Sequence, residues 1–269
     1  MAKHNVAARK AGGRGRQRSN PNAEKQPLLF GGRAAQEKVE ALPEPSRASA
    51  AVGRETRRGW EKQIVLWLIR HAEVERKYQG VFGGRIDMAL SPVGRKQAQA
   101  LAAFLHGKPI QALYASPMKR VRQTLAPIAE DGLPQPVWIH SLREVDFGVW
   151  TGHAWEEIEP KFGVSAFSWL EQLACAGIPE AESAVDLRSR LEPCLKEILT
   201  RHAGQQVGIA CHGGVIRVLL SMLLGWPLIQ LAAVEIDYAS ITQVIWTPPE
   251  ARLQLLNFAP WRERLTPRQ

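Results

Sequence analysis

Cysteine is scarce in this chain of 269 residues. There are three, Cys175, Cys194 and Cys211, with no C-x-x-C pair and no close His/Cys grouping beyond Cys211-His212. That excludes a disulfide scaffold and a structural zinc site as organising principles, and it points to a reducing compartment, the cytoplasm. Long apolar runs are lacking too. No stretch approaches the roughly 20 residues a membrane span needs. The longest, VIRVLLSMLLGW, carries Arg217 and reads as a buried helix, so no membrane partner is expected. No internal repeat is visible.

A basic excess is present, but not where a ligand site would need it. The net charge is +9, yet residues 1–62 hold 14 Lys/Arg against 6 Asp/Glu, and the remainder holds 21 against 20. The basicity therefore belongs to the N-terminal segment, and it says little about what the rest of the chain binds. Residues 1–62 have no sustained period of 2 or 3.6 and too little apolar surface to offset their ordering entropy, so they read as a disordered basic tail. Because the first 23 residues carry no acidic group, a nucleic-acid-binding arm is one alternative. A targeting segment is another, although the absence of an apolar h-region argues against secretion.

After Gln63 the pattern changes. IVLWLIRH (64–71) is a continuous apolar run, the mark of a strand covered on both faces. SPVGRKQAQALAAFLHGK (91–108) sets Ala98, Leu101, Ala102 and Leu105 on one helical face, with Ser91-Pro92 as cap and first position. Further strands are expected at 110–117, 135–142, 206–212, 233–246 and 252–258. Helices are expected from 118 to 130, over 182–203 with a kink or break at Pro193, and after His212. This alternation implies a three-layer α/β domain over 63–262, a mostly parallel sheet with helices on both faces, followed by a short tail, 263–269.

In open parallel sheets ligands bind beyond the carboxyl ends of the strands. Three segments deliver reactive side chains there: Arg70-His71, Ser116 with Arg120 a turn later, and His212 followed by Gly213-Gly214 at a helix start. The loop LREVDFGVWTG adds Glu144. Each type suits phosphoryl transfer. A neutral imidazole can carry the group covalently, guanidiniums match phosphate oxygens, a helix N-terminus offers backbone donors, and a carboxylic acid can protonate the leaving oxygen. No metal or cofactor is needed to balance the phosphate. Taken singly, each residue has an ordinary explanation: a hydrogen-bonded strand-end histidine, a surface arginine, a loop carboxylate.

Together the motifs resemble the histidine phosphatase, or phosphoglycerate mutase-like, superfamily. LIRHAEV resembles its R-H-G signature, and GGRIDMALSPVGRKQAQALA its G-x-x-D-x-x-L-T-x-x-G-x-x-Q-A block. YASPMKRVRQTLAPI, LREVDFGVWTG and IACHGGVIRVLL resemble its S-x-x-x-R-x-x-Q-T-A, L-x-E-x-x-F-G-x-W-x-G and second-histidine blocks, all in order. The resemblance implies that His71 takes the phosphoryl group, that Arg70, Arg120 and His212 hold its oxygens, and that Glu144 protonates the leaving group. Gly213, Lys77 and Arg85 complete the implied substrate-binding set, while Ser116 and Thr124 shape the site. The family's glycine after the nucleophile is Ala72 here, whose methyl is expected to narrow the site. Val74 and Lys77 replace the usual hydroxyl and asparagine.

D-F-G, H-G-G-V-I-R and AESAVDLRSR, with Glu182, Ser183, Asp186 and Arg190 matching a G-E-S-x-x-D-x-x-x-R segment, resemble the phosphatase branch and α-ribazole phosphatases within it. A small phosphorylated metabolite is the implied substrate, α-ribazole 5′-phosphate or a sugar phosphate. Phosphoglycerate mutase-type transfer and a non-catalytic phosphate-binding scaffold are the competing classes.

Overall fold

A computed structural model describes residues 63–129 and 132–263. The basic tail 1–62, and the C-terminal tail past Glu263, lie outside the described residues. Strand β1 (Ile64–Arg70) is buried on both faces, as its unbroken apolar run requires. Ile64, Leu66 and Leu68 enter one core, Trp67 and Ile69 the other. With β2 (Ile110–Ala115), β3 (Val137–Trp138), β4 (Gln206–Cys211), β5 (Ile241–Thr247) and β6 (Glu250–Phe258) it forms one sheet, ordered β3-β2-β4-β1-β5-β6. The pairs β2–β3, β2–β4 and β1–β4 are parallel, and β5 and β6 add an antiparallel edge.

Helix α1 (Pro92–Leu105) and α2 (Lys119–Ala129) cover the face that carries Trp67 and Ile69. The Ser91 hydroxyl accepts from the Gly94 amide at 2.8 Å, and Pro92 starts the helix where its missing N–H costs nothing. The opposite face carries α3 (Trp155–Phe162), α4 (Trp169–Ala174), α5 (Ala184–Arg201) and α6 (Gly213–Leu224). A final turn, α7 (Pro260–Glu263), follows β6. The expected three-layer arrangement is the one observed, and no described helix is long and apolar enough to cross a membrane.

Three local expectations change. The strand expected over 135–142 starts only at Val137, after Pro136, which has no N–H for a ladder, and it gives way after two residues to a 3-10 turn at His140–Leu142. Pro193 does not divide α5. It lies on the exposed side of the helix, where water can serve the carbonyl it leaves free. β5 begins at Ile241, not 233, because the chain before it lies across the end of β1. There the Ser240 carbonyl accepts from the Arg70 amide, and the Ala239 amide donates to the His71 carbonyl, both at 3.0 Å.

Candidate active site

Register brings the reactive residues together. Arg70 pairs with Cys211 across β1–β4, and Ala115 with Ala210 across β2–β4. The next residues, His71, His212 and Ser116, therefore emerge side by side at the carboxyl edge. The two imidazole centroids are 5.2 Å apart. Both rings are buried, with His71 5% exposed and His212 fully enclosed.

Their partners define their tautomers. Nδ1 of His71 lies 2.8 Å from the Ala72 carbonyl, which can only accept, so Nδ1 carries the proton. Nε2 receives the Nε–H of Arg120 at 3.2 Å, so it holds a lone pair. His212 is reversed: its Nδ1 accepts from the same Arg120 N–H at 3.2 Å, and its Nε2 faces the Ser116 hydroxyl at 2.8 Å. Burial, then the charge of Arg120, holds both imidazoles well below the usual 6.5. They are neutral at physiological pH.

Arg120 is itself buried, which lowers its pKa to about 10 and leaves it a cation at neutral pH. Its Nη1 and Nη2 donate to the carbonyls of Ile86 (2.8 Å) and Gly84 (2.9 Å), so the loop after β1 fixes its plane. Arg70 donates from Nη1 to the Ile236 carbonyl and lies over the Tyr238 ring at 4.2 Å. Its Nε–H is buried with no partner among the described residues. Glu144 sits at the start of α6, its Oε2 3.4 Å from the Gly214 amide and its Oε1 3.0 Å from the Val145 amide. A side chain on Gly214 would meet that carboxylate at 2.7 Å, which is why this position is bare.

These groups floor a cavity of about 320 Å³. Its walls are apolar and aromatic, with Tyr78, Phe82, Met88, Phe147, Trp155 and Trp169. Phe82 and Trp155 stack at 5.0 Å and 11°, so the wall is braced from within. Arg217 also lines the cavity. Its guanidinium donates to the carbonyls of Leu231, Gly213 and Val234, and burial lowers its pKa to about 10.

Of the candidates from sequence, Arg70, His71, Arg120, Glu144 and Gly213 line the cavity, and His212 lies beneath it against Arg120. Lys77 and Arg85 are not among the lining residues. Lys77 rests on the Tyr78 ring, and Arg85 pairs with Asp146 (3.3 Å) and Glu182 (3.7 Å). The Ala72 methyl does not narrow the cavity. It packs in the core below α1, while the Ala72 N–H donates to Thr124 Oγ1 at 2.9 Å. Thr124 in turn donates to the Arg120 carbonyl at 2.7 Å. Sequence reasoning did not single out Tyr238 or the aromatic wall for the site, and it read Arg217 only as a charge on an apolar helix. The signal for Arg217 was that charge, lying one turn after Gly213. Among the described residues no three His, Cys, Asp or Glu side chains gather as a metal-ligand set.

A model of the histidine phosphatase superfamily, branch 1, matches residues 66–259. The chain belongs to this superfamily. Phosphoserine phosphatase 1 of Hydrogenobacter thermophilus is 31% identical over 181 residues, covering 67% of this chain and 86% of the relative. Mycobacterial glucosyl-3-phosphoglycerate phosphatase superposes with a TM-score of 0.66 at 26% identity, over 73% of this chain and 99% of its own. The α-ribazole phosphatase of Shigella flexneri does so at 0.62 and 25%, over 72% and 96%. This histidine phosphatase is thus a phosphoric monoester hydrolase, as the motifs implied.

Proposed function

We propose that this histidine phosphatase hydrolyses a small phosphorylated metabolite through a phosphohistidine at Nε2 of His71, without a metal ion. The observation that carries this reading is the tautomer of His71: its lone pair lies at the cavity floor and its proton is held away by the Ala72 carbonyl. In the first step Nε2 attacks phosphorus, the P–O bond to the alcohol breaks, and Glu144 gives that oxygen its proton. In the second, water attacks the phosphorus, Glu144 takes a proton from it, and the N–P bond returns its electrons to Nε2.

Arg70 and Arg120 balance the charge on the phosphoryl oxygens, joined by the backbone donors at the start of α6. With Nε2–H on Ser116, His212 can donate to a phosphate oxygen only after Nδ1 takes a proton, which the arriving dianion favours.

The aromatic wall suits a leaving group with a flat apolar face, so α-ribazole 5′-phosphate fits this reading better than a plain sugar phosphate. Scarce cysteine supports a cytoplasmic setting.

The test is rapid acid and alkali quenching of turnover with labelled phosphomonoester in chelator. A phosphoenzyme that survives alkali, decays in acid and is lost in His71→Ala is expected. A wild type that turns over with no such species would overturn the intermediate.

A further inference from the structure

The segment Glu182-Ser183-x-x-Asp186-x-x-x-Arg190 has no place in the chemistry above, yet its charged ends meet beneath the loop that carries Glu144. Ser183 and Asp186 cap α5: Ser183 Oγ accepts from the Asp186 amide and Asp186 Oδ2 accepts from the Ser183 amide, both at 3.1 Å. That cap orients the two flanking charges. Arg190, one side of its guanidinium paired with both Glu182 oxygens, donates from Nη2 to the Glu144 carbonyl at 3.3 Å and from Nη1 to the Ser141 carbonyl. Glu182 is almost enclosed, its side chain 8% exposed.

Glu182 also holds the loop from its other end. Its amide donates to the Asp146 carbonyl at 3.0 Å, and its Oε2 faces the Asp146 amide at 3.4 Å. Gly148 completes the seat. It has φ +49°, and a Cβ there would lie 2.2 Å from the Pro179 carbonyl, so the loop sits backbone against backbone. Arg85 bridges Asp146 and Glu182 and comes from the loop whose carbonyls orient Arg120. The half-buried Glu182–Arg190 pair, joined by the partly exposed Arg85, thus ties the acid's loop to the loop that orients the phosphate-facing arginine.

We propose that Glu182 and Arg190 are positioning residues for the leaving-group acid, setting Glu144 by fixing its own carbonyl. The inference rests on the phosphatase reading of Glu144. A half-buried bidentate pair is a weak source of net stability but a strong source of fixed geometry, and general-acid catalysis is sensitive to displacement of about 1 Å.

The consequence is selective. An acid matters when the leaving group is a poor one, such as an alkyl alcohol, and hardly at all when it is dinitrophenolate. We expect Glu182→Gln to lower kcat/KM for an alkyl phosphate by about 10- to 100-fold while leaving dinitrophenyl phosphate within about threefold. Placed on Glu144→Ala, the same change should add nothing, because its effect runs through the acid already removed. Arg190→Lys is the companion variant, and Glu182→Gln carries the test should that one fail to fold. Equal losses on both substrates, no loss on either, or additive losses on Glu144→Ala overturn the positioning role alone. A wild type inactive on dinitrophenyl phosphate overturns the phosphatase reading and the positioning role with it.

Discussion

His71 and His212 share one donor, the Nε–H of Arg120, 3.2 Å from Nε2 of the first and 3.2 Å from Nδ1 of the second. A single proton facing two lone pairs forces each ring to place its own proton on the far nitrogen. The far acceptors are the Ala72 carbonyl and the Ser116 hydroxyl, and they differ in kind. The carbonyl locks His71, whereas the hydroxyl can accept or donate and so leaves His212 free to change state.

Ser116→Ala tests that difference. It would leave the buried Nε2–H of His212 without an acceptor, at a cost of about 1–3 kcal/mol. The alternative tautomer would turn an N–H toward the Arg120 N–H, which is no better. We expect a lower Tm and roughly a tenfold fall in kcat on p-nitrophenyl phosphate, with KM less affected. Unchanged melting and turnover would show that the hydroxyl has no part in holding the ring.

Acid should weaken the fold. The folded histidines are held well below 6.5 by burial and by Arg120, whereas in the unfolded chain they titrate near that value. Above pH 6.5 both states are neutral and stability is whole. Below it the unfolded state takes up protons first, and stability falls by up to about 1.4 kcal/mol per pH unit for each histidine. We therefore expect Tm to drop as pH is lowered through 6.5. A Tm that stays flat as pH is lowered through 6.5 would contradict the placement of the two rings.

The parts of this fold that were legible in sequence are those set by local pattern. β1 and β4 announced themselves by unbroken apolar runs, and the start of α1 by Ser91-Pro92. His71 and His212 followed, because a strand end fixes where the next side chain goes. Arg85 was misplaced because its charge partners, Asp146 and Glu182, come from segments far along the chain. Tyr238 reaches Arg70 from an irregular stretch with no period at all. The aromatic wall likewise exists only once Phe82, Phe147, Trp155 and Trp169 have packed, and no spacing encodes that.

Gly94→Ala tests how tightly α1 is set against the loop after His71. A Cβ there would lie 2.0 Å from the Glu73 carbonyl, which already accepts from the Ser91 amide at 3.0 Å. Backbone cannot swing aside as a side-chain tip can, so we expect a loss on the order of 3 kcal/mol. That corresponds to a Tm lowered by roughly 6–12 °C. Activity should fall as well, since Glu73 is two residues from His71. Alanine has the better helix propensity by about 1 kcal/mol, so a variant with wild-type or higher Tm would mean that the close approach is not there.

Gly214→Ala separates stability from catalysis at the other helix. The added methyl would meet Glu144 Oε1 and Val145 Cγ2, each at 2.7 Å. Both are side-chain atoms, and the carboxylate can rotate away at little cost to the fold, partly offset by the gain of alanine over glycine in α6. What it cannot do is rotate away and still reach the leaving oxygen. We expect Tm within a few degrees of wild type, kcat/KM for alkyl phosphates lower by about 10- to 100-fold, and a much smaller loss on dinitrophenyl phosphate. Measured on Glu144→Gln, the substitution should change neither rate. If it lowered both substrates equally in the wild-type background, the methyl would be blocking phosphate at the helix start, and Glu144 would lose its claim to the proton.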